Sequence, residues 1–200
     1  VNKQDNLFEI IFQVKGRGTN FLSKLEEGDF IDVVGPLGNG IFKLNGHKNV
    51  AIIGGGIGIF PLYEFAKEAQ KEANTNIYLG FRSKDFVVLE DEFKNVANNL
   101  IITTDDGTYG NSGFAINYLE KDLNEKNIDA IYACGPLPML KAVKKLAESK
   151  NIFCQISLEQ RMACGVGACM GCSVKLTTED VNYARVCKDG PVFDSKSVEI

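Results

Sequence analysis

The chain has 200 residues, 44% of them hydrophobic, with a formal net charge of −4. That is room for one large domain or two to three small modules with a proper core. The 22 basic residues are scattered, which speaks against a nucleic-acid groove or a patch for anionic membranes. No apolar run approaches the roughly 20 residues of a membrane span.

The opening, "VNKQDNLFEI", lacks both the layout of a signal peptide and an initiator Met, so a fragment is expected. "LFEIIFQV" (residues 7–14) and "DFIDVVGPLG" (29–38) are apolar and β-branched and predict strands. Between them lies "GRGT" (16–19), whose free amides and Thr hydroxyl could meet a phosphate. An ordinary N-capped turn is the simpler reading. "KLNGHKN" (43–49) predicts a turn and a domain boundary, giving segments 1–45 and 46–160. It contains His47, the only histidine, read as a surface residue. No histidine triad chemistry is therefore on offer.

From Val50 the pattern changes. "NVAIIGGG" is a continuous apolar run, as in a strand buried on both faces of a parallel sheet. Helical spacing follows in "PLYEFAKEAQKEAN", with Pro61 suited to a first turn. Strands are then predicted at "NIYLGFRS", "LIITTDDG", "IDAIYACGP" and "FCQISLEQ". They alternate with helices at "LEDEFKNVAN", "FAINYLEKDLNEKN" and "PMLKAVKKLAESKN". Strands alternating with helices imply a parallel, right-handed α/β sheet.

Three loops at strand ends are candidate ligand contacts. In "AIIGGGIGIFP" a glycine-rich turn leaves a buried strand and enters a helix, where backbone amides can approach a pyrophosphate. Gly54, Gly55, Gly56 and Gly58 are the residues for that role, although tight packing alone would also favour glycine. "ACGP" ends the fourth strand, where α/β ligands sit, so Cys134 could face a cofactor ring or be a small buried thiol. "TDDG" (104–107) is a strand-end loop of the same ambiguity, and Cys154 reads as core.

After Gln160 the helical rhythm stops, and residues 161–200 read as a loop-rich module with short strands in "CSVKL" and "ARVCKDGPVF". Cys164, Cys169, Cys172 and Cys187 are spaced C-x4-C-x2-C-x14-C. C-x4-C-x2-C with a distant fourth Cys is the plant-type ferredoxin arrangement for a [2Fe–2S] cluster. Gly165, Gly167 and Gly171 would let backbone N–H groups reach the sulfurs. A zinc site usually shows two separated C-x2-C pairs, and disulfide frameworks belong to small secreted chains, so iron–sulfur ranks first, then zinc, then disulfides. A metal centre would also supply the stability that so small a core lacks. A redox sensor built on Cys134 or Cys154 ranks last, since neither has charged neighbours in sequence.

The order of the pieces carries a resemblance: "GRGT", "GPLGNGIF", "GGGIGIFPL", "ACGP", then "EQRMACGVGACMGCSVK" and "RVCKDGPVF". Over essentially all 200 residues the chain resembles the electron-transfer subunits of class B dihydroorotate dehydrogenase, the PyrK family, within the ferredoxin–NADP reductase superfamily. The resemblance implies an α/β plus β fold. Residues 1–45 would be the C-terminal part of an FAD-binding β-barrel, 46–160 an NAD-binding parallel-sheet domain and 161–200 a small [2Fe–2S] module. The family's Arg-x-x-Ser flavin motif lies on a strand ahead of the one that opens this chain, so N-terminal barrel strands are expected to be missing. By position, Ile11, Phe12 and Gln13 match the flavin contacts, and Gly18 with Thr19 match the FAD pyrophosphate. The Gly54–Gly58 loop and Cys134, Gly135 and Pro136 match the NADH site, and the four cysteines match the cluster ligands. The resemblance further implies a cytoplasmic heterotetramer of two such chains with two FMN-bearing catalytic subunits. NADH would give electrons in pairs to FAD, and the cluster would relay them singly to that FMN, where dihydroorotate becomes orotate. The cluster loop, with Met162 and Met170, would form the docking face. Arg82, Ser83 and Lys84 follow the second strand of the α/β domain, where a 2′-phosphate would sit, so their chemistry keeps NADPH open. Relatives of the same superfamily, NADPH-linked ferredoxin reductases and sulfhydrogenase subunits, share the motifs.

Overall fold

A computed structural model describes residues 9–177 and 182–200. The chain divides into two compact units, residues 1–36 and 37–200. The first is slight. Its one helix, α1 (Arg17–Leu22), buries none of its residues. The segments expected as strands are extended but carry no ladder: residues 9–14 and 29–35 have no strand partner among the described residues, and Leu7 and Phe8 lie outside them. A strand is a paired object, so an apolar pattern without a partner stays open chain. Ile10, Val14, Phe30 and Val34 are accordingly exposed.

The second unit is built on a seven-stranded sheet. In chain order come β1 (Asn49–Gly55), α2 (Ile59–Ala69), β2 (Asn74–Phe81), α3 (Glu90–Lys94), β3 (Asn99–Thr104), β4 (Asn111–Ser112), α4 (Ala115–Glu125), β5 (Ala130–Cys134), α5 (Leu137–Ser149) and β6 (Phe153–Ser157). Then β7 (Ser173–Lys175), β8 (Tyr183–Arg185) and β9 (Val192–Asp194) close the chain. The sheet order is β4-β3-β2-β1-β5-β6-β9, parallel except for β9. The strand–helix alternation read from sequence is thus the observed one. The helix at "LEDEFKNVAN" is shorter than its pattern, because the chain turns at Asn95 to bury Val96 under the sheet.

Successive residues of the central strand serve opposite faces. Val50 and Ile52 join Ile59, Leu62, Ile77, Leu79 and Phe93 in one core. Ala51 and Ile53 join Leu119, Ile131, Leu140 and Val143 in the other. This two-sided burial explains the unbroken apolar run. A buried polar network crosses the second core, where the Tyr78 hydroxyl donates to Asp122 Oδ2 at 2.6 Å and Asp122 pairs with Lys126 at 2.6 Å.

The division ahead of Leu37 precedes the "KLNGHKN" turn because residues 37–44 are bonded to the second unit. The Asn39 and Gly40 amides donate to the Gly190 carbonyl at 3.0 and 2.9 Å. The Tyr132 hydroxyl donates to the Lys43 and Leu44 carbonyls. His47 is half-buried rather than a free surface residue: its ring stacks on Phe153, with centroids 5.1 Å apart.

The cysteine module has no separate core. Cys172, Val174, Ala184, Val186, Cys187 and Val198 are continuous with the core under α4 and α5. Its last strand, β9, leaves the module and pairs with β6 at the sheet edge.

Candidate functional site

The strand order reverses at β1, with β2 on one side and β5 on the other. The crevice at the carboxyl ends of strands flanking such a switch is where open α/β sheets bind ligands. The two motifs predicted to bind NADH meet there. Gly54 is in register with Cys134, so the glycine loop after β1 and the Cys134-Gly135-Pro136 corner after β5 are neighbours.

The structure separates the glycines by what they do. A Cβ on Gly58 would lie 2.6 Å from both the Cys134 carbonyl oxygen and Gly135 Cα. One on Gly55 would lie 2.8 Å from Pro136 Cδ and 2.9 Å from Met139 Sδ, and one on Gly54 2.8 Å from Ile59 Cγ2. Gly55 and Gly58 let the loops interleave, and Gly54 lets α2 pack down on β1. Gly56 is different: its φ is +54° and nothing lies within 4 Å of where its Cβ would be. Of the four, it leaves the loop open to a ligand. Met139, in the first turn of α5, fills the gap between the loops, a contact that only the fold reveals.

Cys134 is partly covered, and burial pushes its thiol up to about 11 even though Ser157 bonds it. Burial likewise pushes Cys154 up to about 12. Neither is an activated thiol, which agrees with ranking the sensor last. At "TDDG" the Asp106 carboxylate is occupied by the Thr108 amide and hydroxyl at 3.0 and 2.7 Å. At "GRGT" the chain enters α1 after the N-cap Gly16. The Thr19 hydroxyl accepts from the Lys15 and Gly16 amides at 2.9 and 3.0 Å and donates to the Gly16 carbonyl. Gly18 has open space around it. Ile11, Phe12 and Gln13 are exposed in the first unit.

Of the four remaining cysteines, Cys172 and Cys187 are brought side by side by a small hairpin. Strand β7 follows Cys172 and β8 precedes Cys187, and their pairing sets Ser173 opposite Arg185. The Val186 amide then donates to the Cys172 carbonyl at 3.1 Å, and the Cys187 amide to Cys172 Sγ at 3.4 Å. A cysteine distant in sequence thus returns beside the loop. On that loop, Cys164 Sγ accepts the amides of Ala168 and Cys169 at 3.3 and 3.4 Å, and Cys169 Sγ accepts that of Gly171 at 3.4 Å. The Gly167 amide points toward the Cys187 sulfur. Gly165 and Gly167 adopt φ of +71° and +79°, which lets the loop curl around the sulfurs.

The electrostatics follow from those amides. They hold the Cys164 thiol down to about 6, and the Cys187 amide lowers Cys172. Cys187 is raised, chiefly by its hydrogen bond with Cys172. Cys172 and Cys187 are buried, whereas Cys169 is exposed. Met162, Val166 and Met170 are exposed around it, as a docking face would require.

The donor set fits an iron–sulfur cluster. The thiols stand as two neighbouring pairs, Cys164 with Cys169 and Cys172 with Cys187. Two pairs of thiols suit two irons, and N–H groups aimed at sulfur are how proteins tune such clusters.

Arg185 and Asp189 also belong to this site. The Arg185 guanidinium binds Asp189 at 3.0 and 3.3 Å and the Gly167 carbonyl at 2.9 Å. The only signal was an Arg two residues before and an Asp two residues after the fourth cysteine.

Two family models match the chain. Residues 159–199 match the iron–sulfur cluster binding domain of dihydroorotate dehydrogenase B, and residues 52–145 match the oxidoreductase NAD-binding domain. Among solved structures, that of an NADH-dependent reduced ferredoxin–NADP oxidoreductase, described for flavin-based electron bifurcation, superposes with a TM-score of 0.81 at 35% identity. It covers 94% of this chain and 67% of that one. Two relatives are named dihydroorotate dehydrogenase B (NAD(+)), electron transfer subunit. That of Caldanaerobacter subterraneus subsp. tengcongensis is 42% identical over 98% of this chain and 76% of its own length. That of Fusobacterium nucleatum subsp. nucleatum is 43% identical over 100% and 77%. Among the described residues no helix is long and apolar enough to cross a membrane. With both cofactor-binding modules matched and this identity sustained along its length, the chain belongs to the family of electron-transfer subunits of dihydroorotate dehydrogenase B.

Proposed function

We propose that this chain is a cytoplasmic electron-transfer subunit that takes reducing equivalents from NADH and delivers them to the FMN of a dihydroorotate dehydrogenase catalytic subunit. The two proteins would assemble as a heterotetramer. FAD and a [2Fe–2S] cluster supply the change from paired to single electrons when bound. The observation that carries the reading is the cysteine site, with Cys187 returned beside Cys172 by a hairpin, Cys164 paired with Cys169 on the preceding loop, and amides directed at their sulfurs.

The chain's own residues have four tasks. Cys164, Cys169, Cys172 and Cys187 hold the cluster, and the Cys169 and Ala168 amides favour the thiolate form of Cys164, as the Cys187 amide does that of Cys172. Gly56 and the amides after β1 receive the NADH pyrophosphate, while Gly55 and Gly58 let that loop close on Cys134-Gly135-Pro136 and Gly54 seats α2 against β1. Ile11, Phe12, Gln13, Gly18 and Thr19 are assigned to FAD. Residues 1–45, 46–160 and 161–200 are the corresponding flavin, nucleotide and cluster segments. No residue acts as a general acid or base, since placement and potential are what the protein contributes.

The test is a visible spectrum of anaerobically purified protein, with iron, sulfide and zinc assays on the same sample. A reddish-brown protein with about two irons per chain and flavin bands that bleach with NADH is expected. A colourless protein holding one zinc would overturn the reading. The resemblance to the NADH-dependent ferredoxin–NADP oxidoreductase favours one second reading, a subunit of that kind using NADPH through Arg82, Ser83 and Lys84. Side-by-side reduction with NADH and NADPH separates them.

A further inference from the structure

The fourth ligand, Cys187, reaches the cluster loop from a separate segment, and something must hold the two in register. The backbone after β8 forms a tight turn, in which the amides of Lys188 and Asp189 donate to the Arg185 carbonyl at 3.1 and 2.7 Å. Asp189 Oδ2 accepts the Arg185 amide at 2.8 Å and its Nε at 3.0 Å, while Oδ1 accepts from the far end of the fork at 3.3 Å. That carboxylate fixes the guanidinium plane. The free edge of the plane donates to the Gly167 carbonyl at 2.9 Å, on the three-cysteine loop. Gly167 in turn lies against the Lys188 side chain, where a Cβ would come within 2.6 Å of Lys188 Cδ.

We infer that Arg185, held by Asp189, is a positioning residue that clasps the three-cysteine loop to the turn bearing Cys187 and so pre-arranges the four thiols for the [2Fe–2S] cluster. The inference rests on the cluster reading proposed above. An exposed ion pair alone would be worth little. This pair is partly covered, with side chains 27% and 34% exposed, and its third bond crosses between the two ligand-bearing segments. The geometry demands a planar fork: a lysine ammonium could reach one partner, not a carboxylate and a carbonyl in one plane. Groups that orient metal ligands change metal affinity by roughly 10–100-fold when lost.

The test compares the full chain with Arg185→Gln, Arg185→Lys and Asp189→Asn after anaerobic loading with iron and sulfide. The readings are iron and sulfide content, visible circular dichroism, electron paramagnetic resonance, cluster reduction potential and the half-time of cluster loss to a chelator. Arg185→Gln should lose its cluster roughly tenfold or more faster than the parent. Its dichroism and potential should be altered, while the urea midpoint of the α/β core stays unchanged. Arg185→Lys should recover little of this, and Asp189→Asn should err in the same direction. Should Arg185→Gln not accumulate as folded protein, the other two variants carry the same comparison. Full loading with parental spectra, potential and half-times in all folded variants would overturn the clasp. Parental behaviour of Arg185→Lys alone would reduce the role to charge and overturn the fork. A parent that takes up no iron and sulfide would remove the cluster reading itself, which distinguishes the two failures.

Discussion

Replacing Gly58 with Ala tests whether the switch-point crevice is the NADH site. The added Cβ would stand 2.6 Å from the Cys134 carbonyl oxygen and from Gly135 Cα, and 2.7 Å from the Cys134 carbonyl carbon. Comfortable carbon contacts begin at about 3.5 Å, so the loop after β1 and the corner after β5 must part by about 1 Å. All three obstructing atoms are backbone, and no rotamer change can relieve them. Overpacking of this kind costs about 1–3 kcal/mol of stability. A shift of about 1 Å in a positioning element can slow a reaction roughly a hundredfold. The assay is rapid-mixing reduction of the bound flavin by NADH, paired with urea unfolding. The variant should unfold at lower urea and reduce its flavin at least about tenfold more slowly at limiting NADH. Gly56→Ala is the contrast: its Cβ meets nothing, and the cost is only the φ of +54°, about 1–2 kcal/mol for a non-glycine residue. A Gly58→Ala protein with parental unfolding and reduction within about twofold of the parent would refute the reasoning.

Three further outcomes are expected. Cys187→Ala should abolish the iron-linked absorbance, whereas Cys134→Ser and Cys154→Ser should retain it; loss in either serine variant would contradict the ligand assignment. In cluster-free protein, Cys164, held down to about 6 by backbone amides, should be thiolate at pH 7 and alkylate rapidly with iodoacetamide. Its rate should fall as pH drops through 6, while Cys134 and Cys154, raised by burial to about 11 and 12, stay unmodified up to about pH 9 by peptide mass mapping. Tyr78→Phe removes the 2.6 Å bond to the buried Asp122 carboxylate and should cost about 1–3 kcal/mol in urea unfolding. The sign with pH follows from Asp122. Burial alone would raise its pKa, but Lys126 and Tyr78 together bring it below the ordinary value, so the contribution is present near neutrality and fades in acid.

The α/β unit was legible because each strand carried its own signature. The run from Val50 to Ile53 is buried on both sides, and nothing in that pattern depends on distant chain. The four-cysteine spacing was legible for a similar reason, since three ligands share one loop. The β-rich start was misread at the level of pairing. An alternating apolar segment announces a face to be covered, but the ladder depends on a neighbour that the segment does not encode. The glycine loop was legible as a motif and not as a division of labour. Gly55 and Gly56 are adjacent and chemically identical, yet one meets Pro136 and Met139 while the other meets open space. Arg185 and Asp189 were invisible because a charged pair four apart resembles any solvated turn until the fold sets Gly167 beside it.

The attachment of the cysteine module bears on how such a protein works. Single-electron transfer between fixed centres depends on their separation, so a cluster on a loosely hung module would be a poor relay. Here α5 joins the two ends of the path. Its first turn follows the Cys134-Gly135-Pro136 corner, and Met139 packs between the nucleotide loops. Further along, Lys144 Nζ donates to the carbonyls of Ser195 and Val198 in the C-terminal segment, and Leu140, Val143 and Leu146 share one core with Cys172, Val186 and Cys187. β9 is also fastened to β6, so the module shares both the sheet edge and that core. The helix spans 13 residues, about 20 Å at 1.5 Å per residue, and acts as a strut of fixed length. The nucleotide corner and the strands that carry Cys172 and Cys187 are thus joined through one helix and one core, which suits a relay whose centres must keep their distance through every turnover.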